Sequence, residues 1–222
     1  MKKTFLAIII ILAIIVALII RLFIGGNTEK VESQKNFSEV YIESENVKVE
    51  VLPTEDLTTV VELVGDDKND YRLHAKMKGD TLLVEVKRKW FKFFNFGFFN
   101  GPITLKVYLP QKKYELIEAE TDNGHIEVTK VNATNVQVDT DNGKIELYDL
   151  KTTNLHTKTD NGKIFMKDVE GEIIGKADNG RISLITESLD RNIDLKTDNG
   201  TIEIKTKEEP KNVQFDIEVD NG

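Results

Sequence analysis

The chain has 222 residues, 40% of them hydrophobic and 31% charged, which excludes wholesale disorder and suits a membrane anchor followed by one domain. Its formal charge is −8, and because residues 1–21 contribute +3, residues 22–222 carry −11. An acidic body argues against nucleic acid or anionic lipid as its partner, and the lack of cysteine excludes disulfides, a thiol nucleophile, Cys-ligated zinc and a lipoprotein attachment site.

The first segment of the chain, residues 1–26, has the composition of a transmembrane anchor. An apolar run fills most of positions 4–24, and Arg21 lies near one end, where its side chain can reach the interface. Roughly 20 such residues form a helix that crosses a hydrocarbon core of ~30 Å. A cleaved signal peptide is the alternative, but its apolar core is shorter and ends in small residues, which this segment lacks. The sequence therefore predicts an uncleaved anchor, with the lipid bilayer as the partner of residues 4–24.

The charges beside the anchor predict its orientation. Lys2 and Lys3 precede it and place the N-terminus in the cytoplasm by the positive-inside rule. Residues 27–222 are then extracytoplasmic, and the chain is a single-pass protein of the cell membrane. Residues 27–37 are polar and predict a short tether between the anchor and the folded part.

Residues 38–110 contain alternating apolar residues but none of the repeats that follow them. The segments 71–77 and 81–89 flank Lys78-Gly79-Asp80, which is a pattern typical of a β-hairpin. We expect residues 38–110 to be an antiparallel β lead-in that caps one end of the repeat array. Such a cap would protect a sheet edge that could otherwise template aggregation.

An aromatic cluster interrupts the end of this lead-in. It holds six of the chain's 11 phenylalanines and its one tryptophan: Trp90, Phe91, Phe93, Phe94, Phe96, Phe98 and Phe99. One strand buries only alternate side chains, so these residues cannot all face the same core. Together with the basic residues at 87–89, the cluster fits docking into the bilayer interface. A buried hairpin tip and a binding site for another membrane or envelope protein are the alternatives.

The rest of the chain, residues 111–222, is dominated by a repeated triplet, Asp-Asn-Gly. The copies follow one another at a nearly constant spacing: Asp122-Asn123-Gly124, Asp141-Asn142-Gly143, Asp160-Asn161-Gly162, Asp178-Asn179-Gly180, Asp198-Asn199-Gly200 and Asp220-Asn221-Gly222. A fixed period of about 20 residues is the signature of a solenoid. Because no strand follows the last copy, we expect the sequence to stop within a repeat.

Each triplet is flanked by residues that alternate between apolar and polar, such as Ile126 and Val128 after the first glycine. Period two on both sides of a turn predicts two strands per repeat, each with one buried face. Stacked parallel coils and antiparallel hairpins both fit this pattern. A second short turn in each repeat, with Val131, Leu150 and Val169 at a constant offset, favours the stacked coils. We therefore predict an all-β fold, a single-stack β-helix or solenoid with coils of about 19 residues.

The triplet itself admits two interpretations. Carboxylates stacked on successive coils resemble a ladder of oxygen ligands for calcium. Turn geometry accounts for the same residues without a metal, since Gly adopts φ > 0 freely, Asn tolerates the left-handed region and Asp bonds nearby backbone. The residue after each glycine is mostly basic, which would relieve repulsion between the stacked aspartates. These residues are His125, Lys144, Lys163, Arg181 and Thr201. We therefore expect structural turns and no metal or other cofactor.

Three features together are similar to one known family. They are the N-terminal anchor, the β-rich segment 40–47, and serial T-D-N-G-x-I-E units such as residues 140–147. On these features the chain resembles, over residues 38–222, the bacterial putative-adhesin family of membrane-anchored, LiaG-like envelope proteins. The resemblance implies a β-helical ectodomain linked to adhesion or envelope stress. It implies no enzymatic activity, and it offers no catalytic or binding residues to transfer.

Catalysis is not expected from the sequence. Glu127 and Glu146 occupy equivalent outward positions one coil apart, so a polysaccharide-acting β-helix enzyme is the alternative function. However, the three histidines are scattered, and no metalloprotease, nucleophile-elbow or phosphate-loop motif is present. We expect a non-catalytic interaction module that is either adhesin-like or associated with envelope stress through another membrane protein. The short tether favours the second, because it holds the domain close to the bilayer.

Overall fold

The fold is all-β in the part of the chain that the computed structural model describes, residues 29–33, 36–66, 70–89, 103–207, 209–210 and 219–221. Its strands are β1 (Glu29–Ser33), β2 (Glu39–Ser44), β3 (Lys48–Thr54), β4 (Thr59–Val64), β5 (Tyr71–Lys78), β6 (Thr81–Arg88), β7 (Thr104–Pro110), β8 (Lys113–Thr129), β9 (Asn132–Tyr148), β10 (Lys151–Lys167), β11 (Glu172–Thr186), β12 (Ile193–Thr206) and β13 (Val219–Asn221). No helix among these residues is long and apolar enough to cross a membrane. The predicted anchor, residues 1–26, lies outside the described residues.

Strands β8 to β12 are the coils of a β-solenoid. Each strand pairs in parallel with the next, on both sides of its Asp-Asn-Gly triplet. Parallel pairing between repeats excludes the antiparallel hairpins that also fitted the sequence, because a hairpin would pair the two halves of one repeat with each other. The prediction of a β-solenoid is confirmed, with about 5 coils of roughly 19 residues.

A column of isoleucines runs through the interior of the coils. The register places Ile126, Ile145, Ile164, Ile182 and Ile202 opposite one another in successive strands. The first four side chains are at most 1% exposed, and the one on β12 is half-buried. Successive side chains of a strand point to opposite faces, so the period-two pattern of the sequence fills one narrow interior. The apolar residues of all coils thereby share a single core.

The second turns after β8, β9 and β10 are each anchored by a buried residue. Val131, Leu150 and Val169 are 5%, 0% and 1% exposed, which confirms their predicted role as corner residues. Each follows a residue in the left-handed region, with φ of 52°, 54° or 52°. These preceding residues are Lys130, Asp149 and Asp168. In these three coils the second turn therefore reverses the chain through one left-handed residue and buries the next side chain.

The lead-in, residues 38–110, is for the most part a continuation of the solenoid. β2 pairs in parallel with the first half of β8, and β3 pairs in parallel with its second half. In turn, β6 pairs in parallel with β2, and β7 with β3. Two further coils, β2–β3 and β6–β7, therefore precede β8 in the stack. The prediction of antiparallel strands was wrong here, because alternating apolar residues fit parallel and antiparallel pairing equally well.

Antiparallel strands close the outer end of the stack, which we call the capped end. β5 pairs with β6 in the predicted hairpin, and Gly79 at its turn has a φ of 62°. On the other face β4 pairs with β7, and β1 pairs with β4 as the outermost strand. The tether predicted over residues 27–37 was wrong for residues 29–33, which form β1. This short strand has one apolar residue, Val31, which packs against the core.

Candidate functional site

The Asp-Asn-Gly triplets line one edge of the solenoid, which we call the triplet edge. Their asparagines form a ladder in which each Nδ2 donates to the Oδ1 of the asparagine one coil before it, over 3.0–3.1 Å. The ladder consists of Asn46, Asn123, Asn142, Asn161, Asn179 and Asn199. One donor and one acceptor bond link each inner asparagine to its neighbours along the stack, so the ladder stabilises the coils.

The glycine of the triplet is required by the close approach of neighbouring coils. A Cβ added to Gly143 would lie 1.8 Å from the carbonyl oxygen of Gly124, and one added to Gly200 would lie 1.7 Å from that of Gly180. The expectation that these glycines take a positive φ was wrong. Among the described residues, the glycines with positive φ are Gly65, Gly79 and Gly171. The triplet glycine thus makes room for backbone rather than permitting a left-handed turn.

Among the described residues, no aspartate of the triplets belongs to a group of side chains that could hold a metal ion. Asp160, for example, is paired with Lys158 over 2.7 Å. Within the described part of the chain, the one group of three side chains placed to hold a metal ion is His125, Glu127 and Glu146, whose ligand atoms lie within 4.8 Å of one another. They project outward from β8 and β9, on the face that follows the triplet edge.

The two carboxylates of this group already have cationic partners. Glu127 Oε2 lies 3.0 Å from Lys48 Nζ, and Glu146 Oε1 lies 2.7 Å from Lys144 Nζ. His125 Nε2 lies 2.6 Å from the other oxygen of Glu146. A metal ion would have to displace two ammonium groups to bind here. The arrangement is therefore better described as an ion-pair network between coils than as a metal centre.

The protonation of this network favours ion pairing over acid catalysis. Partial burial lowers the pKa of His125, and the charges of Lys48 and Lys144 lower it further against the opposing effect of Glu146. Partial burial works to raise the pKa of Glu146, but hydrogen bonds from Lys144 and Tyr148 outweigh it and the net shift is downward. Glu146 is thus held as a carboxylate, whereas a general acid needs a raised pKa.

The acidic column on this outward face is interrupted farther along the stack, a feature that the sequence analysis missed. The register aligns the residues at this position in β8 to β12 as Glu127, Glu146, Phe165, Ser183 and Glu203. In β10 and β11 the basic residues beside the column, Lys163 and Arg181, therefore have no acid two residues farther along the same strand, whereas His125 and Lys144 do. The signal was present as two departures from the repeat, but it could be recognised only once the register placed them side by side.

At the capped end, several chain segments meet near the triplet edge. Glu29 at the start of β1 pairs with Leu63, which pairs with Leu105 near the start of β7. Adjacent strands lie about 4.8 Å apart, so Glu29 is roughly 10 Å from Leu105. On the other face, the amide of Lys89 donates to the carbonyl oxygen of Asp70 over 2.8 Å. The start of β1, the end of β6 and the start of β7 thus share one corner.

The aromatic segment, residues 90–102, is connected to the described strands at this same corner. Val86 pairs with Ser44 and Thr104 pairs with Lys48, so residues 87–103 connect β6 to β7 at the corner where residues 45–47 connect β2 to β3. The aromatic residues of the predicted docking cluster, Trp90, Phe91, Phe93, Phe94, Phe96, Phe98 and Phe99, lie outside the described residues. What the structure does describe is the base of the segment, at Lys89 and Ile103.

Comparisons with known proteins identify a family and several similar structures. A family profile described as Toastrack DUF4097 matches residues 37–219. The chain is similar to the crystal structure of a putative cell adhesion protein from Clostridium sporogenes, at 11% identity and a TM-score of 0.44, with 82% of this chain and 100% of that chain covered. It is similar to a putative adhesin from Bacteroides fragilis at 12% identity and a TM-score of 0.42, over 82% and 98% of the two chains.

A third similar structure is a putative lipid binding protein from Parabacteroides distasonis, at 15% identity and a TM-score of 0.34, with 86% of this chain and 98% of that chain covered. A search of curated protein sequences finds no match to the chain.

Proposed function

We propose that this chain, which belongs to the Toastrack DUF4097 family, is a non-catalytic interaction module that stands outside the cell membrane with the capped end of its solenoid toward the bilayer. In this proposal residues 4–24 cross the bilayer once, from a cytoplasmic N-terminus. The observation that carries the proposal is the shared corner at the capped end, where β1 begins and where the aromatic segment connects β6 to β7.

The distance along the chain between the proposed anchor and this corner is short. An extended chain spans at most ~3.6 Å per residue, so Glu29 can lie no more than about 18 Å from Ile24 at the end of the apolar run. The base of the aromatic segment is in turn roughly two strand spacings, about 10 Å, from the start of β1. Both distances support the proposal that the aromatic segment can reach the bilayer interface at the outer end of the anchor.

Charge supports the same orientation. Residues 22–222 carry −11, so anionic headgroups repel most of the solenoid. Three basic residues in sequence, Lys87-Arg88-Lys89, stand at the base of the aromatic segment, and Lys87 is paired with Glu85 and Glu43. Basic residues are attracted to anionic headgroups, and Trp and other aromatic side chains favour the interface itself. The capped end is therefore the part of the domain that can approach the bilayer.

The test is vesicle binding by residues 27–222. We expect this fragment to bind vesicles that contain anionic lipid, and the double substitution Phe93→Ser/Phe94→Ser to abolish the binding. Co-flotation with vesicles measures it. A matched control is Leu57→Ser, which removes an apolar side chain that is 90% exposed in the turn between β3 and β4. The control should bind as the parent does, since this turn lies at the opposite edge. Absence of binding by the parent fragment would refute membrane docking.

For the cellular role, we propose a LiaG-like accessory of an envelope-stress system that acts on another membrane protein. The short chain between the proposed anchor and β1 supports this role over an adhesin, which would have to project outward. Deletion of the gene distinguishes the two roles. Altered output of an envelope-stress reporter fits the accessory, and loss of surface attachment with normal reporter output fits the adhesin.

We assign no cofactor to this proposed function. The triplet aspartates are the sequence feature that resembles a calcium ladder, and Asp160 is paired with Lys158. Calcium should therefore leave the melting temperature unchanged, and a chelator should not lower it. A rise in the melting temperature at millimolar calcium would contradict this assignment.

An enzyme that acts on polysaccharides is the alternative function. Its carboxylate pair would be Glu127 and Glu146, which lie on adjacent coils. Both accept ion pairs from lysines, and the pKa of Glu146 is lowered, which is the opposite of what a glycosidase acid needs. Release of reducing ends from envelope polysaccharides, abolished by Glu146→Gln, would favour the enzyme.

A further inference from the structure

A depression on the outward face of β9, β10 and β11 differs in character from the acidic surface around it. Its volume is about 310 Å³, and its lining includes three cations, Lys144, Lys163 and Arg181, one acid, Glu146, and two aromatic residues, Tyr148 and Phe165. The depression is thus a basic and aromatic site on a domain whose net charge is strongly negative.

In the part of the chain that the structure describes, two of the three cations of the depression, Lys163 and Arg181, lack the close ion pair that the third, Lys144, forms. Lys163 and Arg181 are exposed and face each other in the β10–β11 register. Among the described residues, neither forms an ion pair with a carboxylate, whereas Lys144 is paired with Glu146 over 2.7 Å. Glu203, the next acid of the column, is paired with Lys205 over 2.8 Å. That hydrogen bond, the charge of Lys205 and, at longer range, the charge of Arg181 lower the pKa of Glu203. Like charges at about 4.8 Å destabilise a sheet, and local departures of this kind are typical of functional sites.

An aromatic platform lies beside the two cations. The rings of Tyr148 and Phe165 have centroids 5.7 Å apart and planes inclined by 49°. Both side chains are half-buried although they project from the outward face. The hydroxyl of Tyr148 donates to Glu146 over 2.7 Å, which holds that ring in place. A fixed pair of rings offers an apolar contact surface at little entropic cost.

We propose that this depression binds an anionic glycan, a sugar chain that carries phosphate or carboxylate groups. Lys163 and Arg181 would bind the anionic group, since lysine and arginine donate charge-assisted hydrogen bonds to carboxylate and phosphate oxygens. The rings of Phe165 and Tyr148 would pack against the apolar face of a sugar ring, as aromatic side chains do in polar binding sites. A neutral sugar would leave the cations unused, and a bare anion would leave the rings unused.

The site is separate from the membrane-facing corner of the proposed function. β10 lies four strands from β7 in the order β7-β3-β8-β9-β10. At about 4.8 Å per strand, the depression is roughly 20 Å from the capped end. The two sites can therefore be tested independently, and failure of vesicle docking would leave the glycan site untouched.

The experiment measures binding of the full chain, in an uncharged detergent, to four probes by calorimetry. The probes are a phosphorylated mannan, an oligogalacturonate, neutral dextran and polyphosphate. The variants are Lys163→Glu, Arg181→Glu and Phe165→Ala. The matched control is Lys176→Glu, which reverses the charge of an exposed lysine on β11 before the triplet, on the opposite face. Circular dichroism of each variant checks that the coils remain folded.

We expect the chain to bind at least one of the two anionic glycans and not dextran. Lys163→Glu and Arg181→Glu should each weaken that binding about tenfold or more, and Lys176→Glu should change it less than twofold. Phe165→Ala should weaken glycan binding without weakening any binding of polyphosphate. The preferred glycan identifies phosphate or carboxylate as the recognised group. Absence of binding to both anionic glycans, or equal losses in Lys163→Glu and Lys176→Glu, would overturn the proposal.

Discussion

At the scale of single residues, the tightest constraint on this fold is the stacking of one triplet glycine on the next. A Cβ at Gly143 would lie 1.8 Å from the carbonyl oxygen of Gly124, and it would lie 2.9 Å from the carbonyl carbon of the same residue. Both neighbours are backbone atoms, which cannot move without breaking the parallel ladder on either side. We therefore expect Gly143→Ala to reduce the free energy of unfolding by about 3 kcal/mol or more, measured by urea denaturation.

Gly79 provides the control for this substitution. It lies in the β5–β6 turn with a φ of 62°, and a Cβ there would meet nothing within 4 Å. Gly79→Ala should cost only about 1 kcal/mol, the cost of placing alanine in the left-handed region. Equal effects of the two substitutions would mean that conformational freedom, rather than the approach of neighbouring coils, requires glycine in the triplet.

An acidic column on the face before the triplet edge makes stability depend on pH. Glu120 is aligned with Glu43 on one side and Asp139 on the other. Partial burial and the charges of Asp139 and Glu43 raise the pKa of Glu120. A carboxyl whose pKa is higher in the folded state opposes folding at neutral pH, and the opposition disappears as the pH falls through that raised pKa.

We therefore expect Glu120→Gln to stabilise the domain at pH 7, by about 0.5 kcal/mol for an exposed like-charge contact. The gain should shrink toward zero as the pH approaches 4, where the native carboxyl is itself protonated. Urea denaturation at pH 7 and pH 4 measures both values. Glu115→Gln on the same strand, outside the acidic column, is the control, and a gain at pH 7 no larger than that of the control would contradict the prediction.

At the scale of elements, the aromatic segment is an insertion at a corner that other coils cross directly. The coil β2–β3 passes this corner with residues 45–47. On the two sides of the corner, β6 pairs in parallel with β2, and β7 pairs in parallel with β3. Replacing residues 90–102 by a short Gly/Ser linker should therefore leave the strand signal in circular dichroism unchanged and shift the melting temperature by only a few degrees. The same variant should lose binding to anionic vesicles.

Either outcome of this replacement is informative. Retained folding with lost vesicle binding separates the role of the segment from that of the coils. Loss of cooperative unfolding would instead show that the segment supplies core contacts, which is the buried-tip alternative raised by the sequence. Vesicle binding that persists in the folded variant would place the docking surface elsewhere.

The sequence predicted the repeated coils but not the coils hidden in the lead-in. In the coils β8 to β12, the triplet and the isoleucine after it identify the corner and the inward positions without ambiguity. In the coil β2–β3 the corner reads Glu45-Asn46-Val47, and Asn46 takes its place in the asparagine ladder with a φ of 52°. A single shared asparagine is too little for recognition, and the alternating strands around it fit parallel and antiparallel pairing alike.

The candidate binding site shows a different limit of the sequence. The basic column after the glycines could be identified from the repeat, and it was interpreted as relief for the stacked aspartates. The loss of the partner acids at Phe165 and Ser183 became meaningful only through the register, which sets these residues beside Lys163 and Arg181. A repeat predicts the residues that all coils share. It does not predict the substitutions in single coils, such as Phe165 and Ser183, that form a candidate site.

At the scale of the whole molecule, the solenoid should behave as a stack of nearest-neighbour units. Each inner coil contacts only the coils before and after it, through parallel ladders that continue across the triplet edge. The register differs between coils only at the second turn, where Gly171, with a φ of 88°, lies in the turn before β11. The triplets that begin at Asp160 and Asp178, before and after that turn, are one residue closer in sequence than the triplets that begin at Asp141 and Asp160. A change in length is thus absorbed at the second turn, and the triplet edge keeps its alignment.

This organisation predicts that a coil can be removed if the register of the triplet edge is kept. Asp141 and Asp160 begin successive triplets, so deletion of residues 141–159 joins Thr140 to Asp160 and removes one complete coil. The shortened domain should unfold cooperatively at a lower melting temperature, because one set of coil interfaces is lost while all others are rebuilt. Deletion of residues 146–159 removes fewer residues but shifts the triplets and the apolar positions out of register. If the shorter deletion is tolerated as well as the longer one, the stability of the domain does not depend on stacked triplets.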